Sequence, residues 1–160
     1  MQETFIHPTA EVDPAARISA GCTIWGGTRI GPNARIGYNT SIGRNCEVDC
    51  IIGDNCRIQA GALLYDGVII QDSVFIGPGV VTTNDALPRV QENGEDWDQR
   101  FQETLILDHA AVGANATIIC GVTIGTYSLV AAGAVVTKDV KPFWIVRGNP
   151  ASHTRSRREC

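Results

Sequence analysis

The chain has 160 residues, of which 44% are hydrophobic and 19% charged, and a formal net charge of -4. That is one domain's worth of globular sequence with no general basic face, which excludes nucleic acid as a main partner. Its longest apolar run, around Leu129 to Val136, is too short to cross a bilayer as a helix, so no membrane partner is expected.

In chain order, the start Met1-Gln2-Glu3-Thr4-Phe5 lacks a basic region followed by an apolar stretch, so the expectation is no signal peptide and a cytoplasmic location. From Ile6 a rhythm sets in. Ile6, Val12, Ile18, Ile24, Ile30, Ile36, Ile42 and Val48 are each six residues apart. The next aliphatic in phase, Ile52, comes after only four, so one turn is short by two residues. Ile58, Leu64, Ile70, Ile76 and Thr82 then continue in sixes. Two residues before each aliphatic stands a small or β-branched residue, Cys22, Thr28, Ala34, Thr40, Cys46 and Cys56 among them. Gly often follows the aliphatic, as in Ile36-Gly37 and Ile76-Gly77, where its backbone freedom suits a corner.

A period of six fits neither a helix nor a hairpin meander. It fits a short strand and a sharp corner, repeated, with three units closing a triangular coil and coils stacking about 4.8 Å apart. The expected fold class is therefore all-β: a parallel β-helix of hexapeptide repeats in a single domain, 1–160, with an aliphatic core. Cys22, Cys46 and Cys56 fall in the small inward column and serve as filler. None of the six cysteines forms a C-x-x-C pair, and the rest of a zinc signature is missing, so no metal is expected.

The rhythm stops once, for about twenty residues (about 83–105). A loop of that length in a compact domain is functional or disordered. This one carries Trp97 and Phe101 as apolar anchors, so the expectation is an arm that reaches a neighbouring subunit and walls a cleft. After it, Val112, Ile118, Ile124, Val130 and Val136 resume the sixes, and about 151–160 forms a tail. If Ile106 resumes the third face, then Leu64, Thr82, Ile118 and Val136 share the second face. Two residues after each come Asp66, Asn84, Cys120 and Lys138, which should form a column along one edge, about 5 Å apart, where the loop is rooted.

These repeats resemble the hexapeptide-repeat acyltransferases, a resemblance running from about Phe5 to Ala151. It implies a left-handed β-helix, against the usual right-handed crossover rule. It also implies a homotrimer with active sites between subunits, and acyl transfer from a coenzyme A thioester. "FIGPGVVTTNDALPR", "YDGV", "VGANATIICGVTIG", "AAGAVVTKDV", "IVRGNPA" and "TIW" look like the N-acetyltransferases that act on the 3-amino group of nucleotide-linked amino sugars. The expected partners are thus acetyl-CoA and a dTDP- or UDP-linked 3-amino-deoxy sugar, in the making of a polysaccharide or other glycoconjugate.

Such a reaction needs a neutral amine within reach of a thioester carbonyl, a stabilised oxyanion and a path for the amine proton. Asn84, Asp66 and Asp85 are the candidates for holding and orienting the amine. Trp25 and Tyr65 are candidates for packing on the base or sugar, and Arg89 for the diphosphate. For coenzyme A, small residues that allow close approach to the backbone are Gly113 and Asn115 in "GAN" and Ala131 and Ala132 in "AAG". Cys120 lies on the same edge as Asn84, and Lys138 and Arg147 are placed for phosphates. Relatives often carry a histidine near "IW". Here the stretch is "IWGGTRI", which removes a base at that point and widens the expected pocket. Of the three histidines, His109 alone lies near the loop's return. A carbonic anhydrase on this fold would need three histidine ligands, two of them close in sequence, and His7, His109 and His153 are scattered. A different acceptor (a 4-amino sugar, an amino acid or a hydroxyl compound) and a non-catalytic scaffold remain as alternatives.

Overall fold

A computed structural model describes residues 3–90 and 101–159. The chain winds into a prism of short strands stacked on three faces. The first face holds Phe5–Ile6, Thr23–Ile24, Ser41–Ile42, Arg57–Ile58, Phe75–Ile76, Ala111–Val112, Leu129–Val130 and Trp144–Arg147. The second holds Glu11–Val12, Arg29–Ile30, Glu47–Val48, Leu63–Leu64, Val81–Thr82, Thr117–Ile118 and Val135–Val136. The third holds Arg17–Ile18, Arg35–Ile36, Ile51–Ile52, Val68–Ile70, Thr104–Ile106 and Thr123–Ile124.

Each strand pairs in parallel with the strand one coil away, so like stands on like. Ile24 lies over Ile42, Ile42 over Ile58, and Ile58 over Ile76. A period of six puts the same residue type at the same corner of every coil. The aliphatics therefore fill one continuous core in which Ile24, Ile42, Leu64, Ile76 and Ile118 are fully buried. The loop does not disturb this register. Ile70 faces Ile106 and Thr82 faces Ile118, so the third face resumes at Ile106 as the spacing requires.

Two kinds of corner position emerge, and they correct the reading of the glycines. The Gly directly after the aliphatic has ordinary backbone angles. It is small because the next coil crosses it: a Cβ on Gly113 would stand 2.5 Å from the backbone nitrogen of Ala132. The left-handed backbone falls three residues after the aliphatic, at Asn115 (φ 56) and Gly133 (φ 69), for example. Asn is the side chain that best tolerates that region, which explains Asn39, Asn45 and Asn55 at equivalent corners.

The small inward column does more than fill space. Thr28 Oγ1 donates to the Gly43 carbonyl (2.6 Å) and Thr40 Oγ1 to the Gly53 carbonyl (2.8 Å). Cys22 and Cys56 use their thiols in the same way, toward Gly37 (2.9 Å) and Gln71 (3.0 Å). Corner carbonyls that no ladder bond reaches are satisfied from inside. Burial pushes these thiols above the ordinary range, which leaves little thiolate for reaction. On the outside, Asp54, Asp72 and Asp108 form a ladder, each accepting a backbone N–H from the coil before it.

The tail is part of the fold. Ser152–Ser156 returns as an antiparallel strand on Trp144–Arg147 and extends the first face by one strand, and Arg157–Glu159 closes it as a short 3-10 turn. Thr154 Oγ1 donates to the Ile145 carbonyl (3.1 Å), and Trp144 packs on His153 at 4.2 Å between ring centres. No helix among the described residues is long and apolar enough to cross a membrane.

Candidate functional site

The prism has three edges: the first joins faces one and two, the second joins faces two and three, and the third joins faces three and one. Tyr65, Asp66, Asn84, Cys120 and Lys138 all stand on the second edge, because each follows a second-face strand by one or two residues. The column read from the spacing is real, and it ascends from Asp66 through Asn84 and Cys120 to Lys138, one residue per coil. Asp66 is half-buried, and its Oδ1 accepts the N–H of Gly67 at 2.9 Å, so it caps its own corner with one oxygen. Cys120 is buried, and its N–H donates to Thr83 Oγ1 at 3.0 Å, which ties the column to the coil below.

The loop leaves from this edge and returns to it. The Asn84 carbonyl accepts the Gln102 N–H at 2.9 Å, and Asp85 bridges Phe101 in antiparallel fashion. These contacts close the base of the loop and hold the Asn84 side chain at its rim. Asp85 Oδ1 accepts the Leu87 N–H at 2.8 Å and shapes the outgoing turn. Arg89 is exposed on the outgoing limb. The proposed cleft wall, with Trp97, lies outside the described residues. The inward residue under Asn84's strand, Thr82, is fully buried; its hydroxyl accepts from Tyr65 N–H (3.2 Å) and points toward the Leu63 carbonyl (3.3 Å).

The other candidates stand elsewhere. Gly113, Asn115, Ala131 and Ala132 follow first-face strands and Arg147 ends one, so they lie on the first edge, across face two from Asn84. So does Trp25, far down the same edge, where it meets Phe5 edge-on at 5.8 Å and carries Arg44 over its ring. One chain therefore does not gather all thirteen candidate residues; it presents them on two edges. The first edge is open at its upper end. Ala132 and Gly133 are exposed, and nothing lies within 4 Å of the space a Gly133 Cβ would enter. A slender ligand can lie against that backbone, and Arg147 stands one coil above it.

The space near Trp25 is not widened. A Cβ at Gly26 would meet Thr9 Oγ1 at 2.6 Å and His7 Nδ1 at 2.8 Å, so residues of the preceding coil fill the volume. His7 Nδ1 accepts the Thr9 N–H (3.2 Å) and caps that first coil. His109 belongs to the third edge, where it stacks on Tyr127 (4.5 Å), and Tyr127 stacks on Phe143 (5.4 Å). Asp108 lies on that edge too, so its charge does not oppose a ligand on the first. Among the described residues, no three His, Cys, Asp or Glu side chains are grouped to hold a metal.

Three residues beside the second edge are not singled out as site residues by the spacing. Arg35, Cys50 and Glu103 join Asp66 in lining a cavity of about 350 Å³ just below Asn84's coil. The four-residue step between Val48 and Ile52 was the signal.

Comparison with known proteins agrees with this geometry. The model of the bacterial transferase hexapeptide matches residues 49–84 and 103–138, stopping and resuming where the loop does, and the hexapeptide repeat of succinyl-transferase matches 27–66. The two matches together take in more than half of the chain, which belongs to the hexapeptide-repeat family, and its coil is a left-handed β-helix. Among curated relatives, the dTDP-3-amino-3,6-dideoxy-alpha-D-galactopyranose 3-N-acetyltransferase of Aneurinibacillus thermoaerophilus is 42% identical over 53 residues, 33% of this chain and 28% of that protein. The chain thus spans under a third of that relative's length. Relatives matched over similarly short stretches include chloramphenicol acetyltransferases. Among solved structures, the UDP-N-acetylglucosamine acyltransferase of Francisella novicida superimposes with a TM-score of 0.63 at 16% identity, over 98% of this chain and 70% of that one. PerB from Caulobacter crescentus, solved in complex with CoA and GDP-perosamine, gives 0.51 at 22% identity, over 96% and 58%.

Proposed function

We propose that the protein is an acetyl-CoA-dependent N-acetyltransferase that acts on the 3-amino group of a dTDP- or UDP-linked 3-amino-deoxy sugar. One observation carries the reading: Asp66 and Asn84 stand on one edge at the root of the only interruption in the repeat. The hexapeptide-repeat family and the names of the curated relatives support acyl transfer, and the amino-sugar relative supports the acceptor.

The chemistry divides between the edges. Asn84 orients the acceptor amine, and Asp66, with one oxygen on its own corner, offers the other to that amine. Acetyl-CoA, a cosubstrate, supplies the thioester. Gly113, Asn115, Ala131 and Ala132 give its slender arm access to backbone, and Arg147 faces a phosphate. The amine forms the new C–N bond as the thioester C–S bond breaks, and the amine proton leaves to Asp66 or to the departing sulfur. Lys138, on the same edge two coils above Asn84, contributes positive charge toward a phosphate.

Because the two sets lie on different edges, the site is completed by a second copy that sets its first edge against this second edge. A homotrimer closes that arrangement. The cosubstrate's own location argues for a cytoplasmic setting, within a route to a polysaccharide or other glycoconjugate.

The test is release of free coenzyme A from acetyl-CoA against a panel of dTDP- and UDP-linked 3-amino and 4-amino sugars, chloramphenicol and an amino acid. Turnover confined to a 3-amino sugar is the expected result. Turnover with another member would move the acceptor. Silence, with no binding of acetyl-CoA, would mark the chain as a scaffold.

A further inference from the structure

The turn from Val48 to Ile52 is shortened to four residues, a step that recurs only in the last coil among the described residues, from Val136 to Val140, which bridges Ile124. In the fourth to the seventh coil the residue two after the second-face strand is Asp66, Asn84, Cys120 and Lys138, of which Cys120 is buried and the others reach the surface. In the third coil that place is Cys50. With only four residues from Val48 to Ile52, Cys50 is also the residue two before the next core aliphatic. It turns inward, 2% exposed, whereas Lys138, at the same place in the last four-residue step, is exposed. The edge recedes at this coil, and a cavity opens on it as a notch.

What surrounds the notch is chemically sorted. Arg35 and Asn33 of the coil below form its floor, Asp66 and Gly67 of the coil above form its roof, and Glu103, on the loop's returning limb, stands beside the roof. Ile51, 46% exposed, and Ile69 form an apolar wall. The floor is held rigidly. Asn33 donates its N–H to Asp49 Oδ1 at 2.8 Å, and Arg35 Nη1 donates to the carbonyls of Ala34 (2.8 Å), Pro32 (3.1 Å) and Ala15 (3.4 Å). These partners of Arg35 are neutral, so they fix the guanidinium without cancelling its charge. The cavity holds about 350 Å³, enough for one sugar ring and little more.

We infer that this notch is the acceptor's pocket: it takes an aminated sugar with the amine between Asp66 and Glu103 and an anionic group of the same molecule on Arg35. The inference rests on the proposed acetyltransferase reading and adds where the acceptor lies and which residues select it. Asp66 and Arg35 are two coils apart, roughly 10 Å, which is about the span from a ring amine to a diphosphate on the far side of the sugar. The apolar wall packs on the sugar's carbon face between those ends. The carboxylates gather the amine as ammonium; Asp66 takes one proton from it, and the neutral amine, beside Asn84 one coil higher, attacks the thioester and gives its second proton to the departing sulfur.

Restoring the missing corner tests this directly. Inserting Gly-Asn between Asp49 and Cys50 gives a six-residue step, the form every neighbouring coil already takes, and fills the notch. Arg35→Ala and Glu103→Gln change the lining without altering the coil. Binding of the dTDP- and UDP-linked 3-amino sugars, and separately of coenzyme A, is measured by calorimetry on each form. The expected result is loss of acceptor affinity by at least about tenfold in the insertion and in Arg35→Ala, the scale of a charge-assisted contact, with coenzyme A affinity unchanged. Glu103→Gln should weaken the acceptor to a smaller extent. Wild-type acceptor affinity in the insertion and in Arg35→Ala would overturn the inference while leaving the acetyltransferase reading intact. So would an insertion that breaks the oligomer with per-chain affinity unchanged, since the notch would then be a subunit contact. If the insertion does not fold, the two point variants decide. A wild type that neither binds nor acetylates any of these sugars removes the reading and the inference together.

Discussion

Asn84→Ala will lower kcat by about 10²-fold or more and leave the melting temperature close to wild type. The scale is that of removing one group that orients or stabilises the reacting centre. The near-unchanged stability follows from the structure. What Asn84 contributes to the fold is its backbone carbonyl, which accepts the Gln102 N–H and which alanine retains. A half-buried corner side chain of this kind costs about 0.5 kcal/mol or less to trim. Steady-state kinetics with the preferred amino sugar, beside a thermal melt, separates the two effects. Equal activity would remove Asn84 from the site. A fall in stability matching the fall in activity would make it a structural residue.

Gly113→Val will have the largest effect on stability. Its Cβ would stand 2.5 Å from Ala132 N and 2.9 Å from Ala131 C, both backbone atoms of the next coil. Neither can rotate away, so the coils must part, and the ladder bond from Gly113 N to the Val130 carbonyl (2.8 Å) is strained with them. Overpacking of this sort costs about 3 kcal/mol. At roughly 2–4 °C per kcal/mol for a chain of this length, the melting temperature should fall by about 6–12 °C. Gly133→Ala is the control. Its φ of 69° is left-handed, but nothing lies within 4 Å of the new atom, so the only cost is the added backbone strain of about 1 kcal/mol. Equal losses in the two variants would show that backbone angle, and not the crossing of the next coil, sets the need for Gly after the aliphatic.

That contrast also shows what the sequence makes legible. The period of six is a statement about side-chain direction, and direction is what a stacked coil repeats. The faces, the register across the loop and the second-edge column of Asp66, Asn84, Cys120 and Lys138 could all be counted out from Ile6. Distances between coils are not in the period. Hence Gly77 and Gly113 invite a reading as flexible corners, when a neighbouring backbone dictates them and the left-handed positions lie two residues later, at Gly79 and Asn115. The notch shares this character. The four-residue step was visible as a count, but only the burial of Cys50 shows that the edge recedes there and brings Arg35 and Glu103 to Asp66. The tail was opaque because Ser152–Ser156 pairs antiparallel and outside the repeat, so no periodicity announces it.

The candidate residues were easier to choose than to assemble. Resemblance of short motifs draws Trp25, Asn84, Ala131 and Arg147 together as one site. Counting faces separates them, since Asn84 follows a second-face strand whereas Trp25 and Ala131 follow first-face strands and Arg147 ends one. The two edges of one chain look away from each other across face two.

The claim that one site is built from two edges of neighbouring chains is tested most directly by mixing two inactive variants. Asn84→Ala spoils the second edge, and Ala131→Trp blocks the first. Each is purified, and the two are unfolded together and refolded, or co-expressed with separable tags, and coenzyme A release is measured on the mixed oligomer. Random assortment places an intact second edge against an intact first edge at about a quarter of the sites, so activity should return to about a quarter of wild type. Mixed oligomers that form and stay as inactive as the parents would contradict the account, because a site contained within one chain cannot be repaired by a neighbour.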